Sequence, residues 1–109
     1  MQKPAKQTIQ RWNYRDVIEY IEYKYQIKTR DMGQKYYGKR DKDAPYWDFW
    51  HFVINELGEI TNGCYLYLPL VAEKYEYNGP PPEWFCEVLG YIKAEFAPDE
   101  DEIELWVEW

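Results

Sequence analysis

Few residues in this chain could do acid–base, nucleophilic or metal chemistry. His51 is the only histidine, placed between Asp48 and Glu56. A carboxylate beside an imidazole could orient a general base. The same spacing suits a packed helix histidine with one nitrogen hydrogen-bonded, and that reading is preferred. Cys64 and Cys86 form no CxxC pair. A thiol needs a positive neighbour to become a nucleophile, and the acidic surroundings oppose a thiolate. Both cysteines read as small core hydrophobes, although a disulfide between them is geometrically allowed. The chain contains no serine, no P-loop and no GxGxxG, and one histidine cannot satisfy HExxH. The acidic run DEDE at 99–102 lacks the glycine and ligand spacing of a calcium loop, so it reads as a solvated turn. No catalytic residue, cofactor or metal is expected. A metal-dependent hydrolase is the weaker enzymatic alternative.

The elements that hold these residues follow from composition and period. With 109 residues the chain has the length of one domain. Aromatics make up 20% of it, including twelve Tyr and six Trp. Each ring can bury ~150–250 Å², so a few of them replace many aliphatics in a small core. Residues 1–12 read as a loose lead-in, with a short strand near 8–12. Tyr14, Val17, Ile18, Ile21 and Tyr25 share one helical face, and Asn13 can cap it, which predicts a helix over 14–26. Residues 27–44 lose the period and carry dense charge, which predicts a long basic surface loop.

A second helix is expected to start at Asp43 and Pro45, with Tyr46, Phe49, Trp50, Val53 and Leu57 inward and Gly58 as its stop. The stretch YWDFWHFV at 46–53 is apolar around most of its circumference, which suits a central helix covered on two sides. CYLYL at 64–68 reads as a strand ended by Pro69. Pro82 and Glu83 lead a third helix with Phe85, Val88, Leu89, Ile92 and Phe96 inward. IELWVEW at 103–109 alternates strictly and reads as a half-exposed strand. The order α-α-β-α-β predicts an α+β domain: a sheet of two or three strands packed by three helices. Either a parallel crossover or antiparallel pairing satisfies this order.

Charge is segregated along the chain. Residues 1–42 carry eleven Lys/Arg and five Asp/Glu, and residues 43–109 carry two and fifteen, giving +6 and −13 within a total of −7. The halves must fold against each other or face a charged partner. Residues 24–42 interleave seven Lys/Arg with Tyr25, Tyr36 and Tyr37, a mixture that single-strand binders use. The sequence pI near 4.7 makes direct nucleic-acid binding a poor expectation. The acidic candidate is stronger. Glu83, Glu87 and Glu95 lie on one stripe of the third helix, and Glu102, Glu104 and Glu108 share a face of the last strand. Trp106 stands between Glu104 and Glu108 on that face, where a ring rimmed by polar groups is the anatomy of an interface anchor, unless the third helix or the N-terminal segment covers it. A second candidate is a ligand pocket walled by Trp47, Trp50, His51, Tyr36 and Tyr37, with Lys39 and Arg40 for phosphates.

Three stretches, YRDVIEYIEYKY at 14–25, YWDFWHFVINELGEITNGC at 46–64 and DEIELWVEW at 101–109, together resemble a group of small, acidic, tryptophan-rich proteins encoded by bacteriophages. The resemblance spans most of the chain and rests on pattern, with no catalytic motif. It implies an accessory role, such as blocking a host or defence protein, including by mimicking nucleic acid, or sequestering a signalling nucleotide. It supplies no functional residues. The resulting expectation is a non-enzymatic inhibitor that binds a basic host or defence protein through the acidic, Trp106-anchored surface. The alternative is an aromatic-pocket binder of a nucleotide. Self-association is also permitted by the polarised halves. With no apolar leader and no run approaching ~18 apolar residues, the cytoplasm of an infected bacterial host is the expected location, and no membrane partner is expected.

Overall fold

The structure, a computed structural model, describes residues 2–4, 12–37, 48–50, 52–53, 64–75 and 81–107, excluding the side chains of 36, 37 and 64. Strand β1 (Trp12–Asn13) leads directly into helix α1 (Tyr14–Tyr25). Helix α2 (Thr29–Tyr37) follows after a short corner. Strand β2 (Cys64–Pro69) and a 3-10 turn (Ala72–Tyr75) precede helix α3 (Glu83–Phe96) and strand β3 (Glu102–Val107). The class is α+β, with a small three-stranded mixed sheet.

Helix α1 has clear chemical ends. The Asn13 side chain accepts the amides of Arg15 at 2.9 Å and Asp16 at 3.3 Å, satisfying two otherwise orphaned donors. Gln26 takes a left-handed conformation, φ 53°, and stops the helix one residue earlier than expected. Asp16 in the first turn and Lys24 in the last suit the helix dipole.

The predicted loop over 27–44 is corrected by α2, which occupies 29–37. The pattern hid this helix because, among its described side chains, the inward stripe holds one hydrophobe. Thr29, Met32 and Gly33 recur at helical spacing; Thr29 and Gly33 are buried and Met32 is half-buried. The first amide of α2 is received by Glu22 of α1 at 2.8 Å, so the cap comes from the preceding helix. Residues 38–44, the rest of that predicted loop, lie outside the described residues.

Residues 49, 50, 52 and 53 are helical, and Asp48 is not. The Asp48 carbonyl accepts the Phe52 amide at 3.1 Å, so the turn described here follows Asp48; the expected start at Asp43 and Pro45, the inward Tyr46 and Leu57 and the Gly58 stop lie outside the described residues. The Phe49 amide, an orphan of that turn, donates to Thr29 Oγ1 at 3.2 Å. Phe49, Phe52 and Val53 are all at or below 2% exposure, which fits the expected central position. Phe49 stacks on Phe85 at 4.9 Å, and Phe52 meets Phe85 at 4.4 Å and Trp84 at 5.6 Å. The surplus rings of this stretch that the structure describes therefore fill the middle of the core.

The sheet order is β1-β3-β2, so the last strand is central. β1 runs parallel to β3, with Trp12 beside Leu105 and Asn13 beside Trp106. β2 runs antiparallel to β3, pairing Tyr65 with Trp106, Tyr67 with Glu104 and Pro69 with Glu102. Alternation along β3 sends Ile103, Leu105 and Val107 into the core with Leu68, under α1 and α3. The opposite face of the sheet takes Glu102, Glu104 and Trp106 with Tyr65 and Tyr67. The helices thus cover one side of the sheet, and on its other side Tyr65 and Tyr67 of β2 are exposed.

Candidate interaction surfaces

The expected acidic surface divides into two parts that the fold places on different sides. Glu83 and Glu87 are exposed on α3, on the side turned away from its buried residues Phe85, Val88, Leu89, Ile92 and Phe96. Glu95 is half-buried against α1. Glu102, Glu104 and Trp106 belong to the outer face of the sheet, and Glu108 lies outside the described residues. Core side chains separate the two groups. They do not form one continuous row.

On the helical side the polar groups close on one another. Glu95 takes Lys24 at 2.6 Å and accepts the Tyr25 hydroxyl at 2.9 Å. Tyr25 stacks on Tyr91 at 4.0 Å with an interplanar angle of 14°, and the Tyr91 hydroxyl donates to Glu87 at 2.5 Å. The Lys24 ammonium, with help from the Tyr25 hydroxyl, holds the Glu95 carboxyl below the usual carboxylate range. The same contact raises the Lys24 ammonium above its ordinary value. Desolvation, then the bond to Glu95, raises the Tyr25 phenol, and the bond to Glu87 raises that of Tyr91. This cluster ties α1 to α3, which is a structural task. It also joins the basic and acidic halves of the chain.

The outer sheet face is built differently. Tyr65 and Tyr67 retain 50% and 55% of their surface, and Tyr23 on α1 retains 51%. Single exposed rings are ordinary, whereas contiguous ones mark binding surfaces. Tyr23 sits apart, at an open depression of about 590 Å³ around the α1–α2 corner. Tyr65 and Tyr67 stand two residues apart on one face of β2. Tyr65 contacts the half-buried Trp106 at 5.0 Å and 56°, and Tyr67 shares that strip of the sheet face one row along. Glu104 flanks that strip beside Tyr67, and the exposed Glu102 lies beyond it next to Pro69. Trp106 and Glu104 were legible as one face. Tyr65 and Tyr67 were missed, although CYLYL places its tyrosines on one side and its leucines on the other.

The second candidate pocket is described at few positions. Trp50 packs edge-on against Tyr14 at 5.1 Å and Phe49 at 4.9 Å, so its ring contributes to the core. Tyr36 and Tyr37 end α2. Trp47, His51, Lys39 and Arg40 lie outside the described residues.

Burial raises the Cys86 thiol, and its sulfur lies 3.7 Å from the Pro81 carbonyl, an arrangement that disfavours the thiolate. Among the described residues no group of three or more His, Cys, Asp or Glu is placed to hold a metal ion. No described helix is long and apolar enough to cross a membrane. The chain matches none of the protein-family models, curated proteins or solved structures it was compared with.

Proposed function

We propose that this chain is a non-enzymatic interaction protein of the accessory kind that phages encode, binding and blocking a host or defence protein that presents a basic site. One observation carries the reading: Tyr65, Tyr67 and Trp106 share the sheet face turned away from the helices, with Tyr65 and Tyr67 exposed, Tyr65 against Trp106, and Glu102 and Glu104 in the neighbouring rows. Aromatic residues dominate binding energy at interfaces when a polar rim surrounds them, and acidic edges select a basic partner and speed its approach. The helical side offers less, because Glu95 is already engaged by Lys24 and Tyr25.

The two acidic groups provide an internal control. A partner captured from infected host lysate should be titrated against Glu102→Lys/Glu104→Lys and against Glu83→Lys/Glu87→Lys across a salt series. Loss of about 1.4 kcal/mol or more, tenfold in affinity, is expected for the sheet pair and little change for the helix pair. Equal affinity for the wild type and the sheet pair at every salt concentration removes this proposal.

A further inference from the structure

We infer that the sheet face takes an extended segment bearing arginines two residues apart; this rests on the proposed function and narrows its partner. The register carries the argument. Across β2 and β3 the outer face reads Tyr65 beside Trp106, Tyr67 beside Glu104, and Pro69 beside Glu102. Rings therefore occupy one end, carboxylates the other, and Tyr67 meets Glu104 where they join. Successive rows along a strand are ~6.6–6.8 Å apart. An extended chain laid along this face presents alternate side chains at that same interval, one per row.

The mixture of surfaces selects the side chain. A guanidinium is planar and weakly hydrated, stacks on aromatic faces and forks its in-plane donors toward carboxylates. Tyr65 and Tyr67 offer exposed ring surface, and the Tyr65–Trp106 corner is inclined at 56°, so a flat cation can lie along either wall. The exposed Glu102 supplies negative potential in the end row, beyond the row that pairs Tyr67 with Glu104. An ammonium is compact and strongly hydrated, and it gains less from the ring rows. Nucleic acid is disfavoured here because phosphates would meet Glu102 and Glu104.

The test is fluorescence anisotropy with labelled peptides, using the full chain. One peptide carries arginine at every second position with threonine between. A second replaces each arginine by lysine, and a third spaces arginine at every third position. The alternating arginine peptide is expected to bind about tenfold tighter than either other. Tyr67→Thr and Glu102→Gln, both at exposed positions, should each weaken it by about fivefold or more, while Glu87→Gln on the helical side leaves it unchanged. Circular dichroism checks that each variant is folded.

Equal binding of the lysine peptide, with the sheet variants still weakening both, overturns the arginine assignment and leaves the basic-partner reading standing. Equal binding of the third peptide overturns the two-residue spacing. Indifference of all peptides to Tyr67→Thr and Glu102→Gln overturns both readings. Sedimentation velocity of the chain alone completes the set: a dimer abolished by Tyr67→Thr would make the occupant a second copy and overturn the inference.

Discussion

Tyrosine and glutamate meet on two sides of this molecule with different outcomes. On the helical side Tyr25, Tyr91, Glu87 and Glu95 close into a stack and a set of hydrogen bonds, completed by Lys24. On the outer sheet face Tyr65 and Tyr67 keep about half their surface in water beside Trp106, Glu102 and Glu104. The residue types are the same, so composition does not explain the contrast. Geometry does: the packed faces of α1 and α3 interlock their side chains, whereas Tyr65 and Tyr67 stand on the side of the sheet turned away from those helices. The helical side belongs to folding. The sheet face is where surplus aromatic area remains for a partner.

The strongest way to probe this contrast is to remove a ring beneath the helical side. Phe85 is fully buried and contacts Phe49, Phe52, Tyr75 and Trp84 at centroid distances of 4.4–5.9 Å. Phe85→Ala should cost about 3–5 kcal/mol, from lost burial and the cavity left behind. That is a large share of the ~5–15 kcal/mol available to a domain. Urea unfolding should show a sharply lower midpoint or no cooperative transition. A loss below about 1 kcal/mol would mean that the ring cluster is not the centre of stability.

The next largest effect concerns the junction that the sequence concealed. Thr29 is 2% exposed, and its hydroxyl oxygen receives the Phe49 amide from twenty positions downstream. Thr29→Val keeps the shape and deletes the acceptor. It should cost about 1–3 kcal/mol by leaving a buried donor unsatisfied. Unchanged stability would mean that this cap contributes nothing to anchoring residues 49–53 on α2.

These residues also show what a linear pattern can carry. Helices α1 and α3 and strand β3 were legible because their burial follows a period in hydrophobic residues. Helix α2 was not, since two of its three described inward positions are Thr29 and Gly33 and its cap comes from Glu22. The acidic stripe of α3 was legible as a stripe. That Glu95 would be engaged was not, because Tyr25 lies seventy positions away. On the sheet, alternation revealed which residues share a face within each strand. Only the pairing of β2 with β3 brings Tyr65 and Tyr67 beside Trp106 and Glu104, and it turned one suspected anchor into a strip of three rings.

A smaller change tests whether the outward side of α3 is simply solvated helix. Gly90 is exposed in the helix interior, and a Cβ built there meets nothing within 4 Å. Gly90→Ala should raise stability by about 0.5–1 kcal/mol through helix propensity. For a domain of this size that is roughly 2–8 °C in Tm, readable by calorimetry. Partner affinity should stay constant, since the sheet face is untouched. A drop in affinity would move the docking surface to the helical side and reverse the contrast.

The smallest expected effect isolates the closed cluster by its pH response. The Lys24 ammonium and the Tyr25 hydroxyl hold the Glu95 carboxyl below its ordinary range. A carboxylate with a depressed folded-state value binds fewer protons than in the unfolded chain, so it stabilises the fold at and above the ordinary carboxylate range. That contribution fades as pH falls through the depressed value. Between about pH 5 and about pH 3 the wild type should therefore lose Tm more steeply than Glu95→Gln, whose amide does not titrate. The difference should shrink in high salt, because Lys24 is 46% exposed and screening weakens such pairs. Parallel acid limbs for the two proteins would mean that Lys24 and Tyr25 do not hold Glu95 in the folded state, and the helical side would lose the closed cluster on which the contrast is drawn.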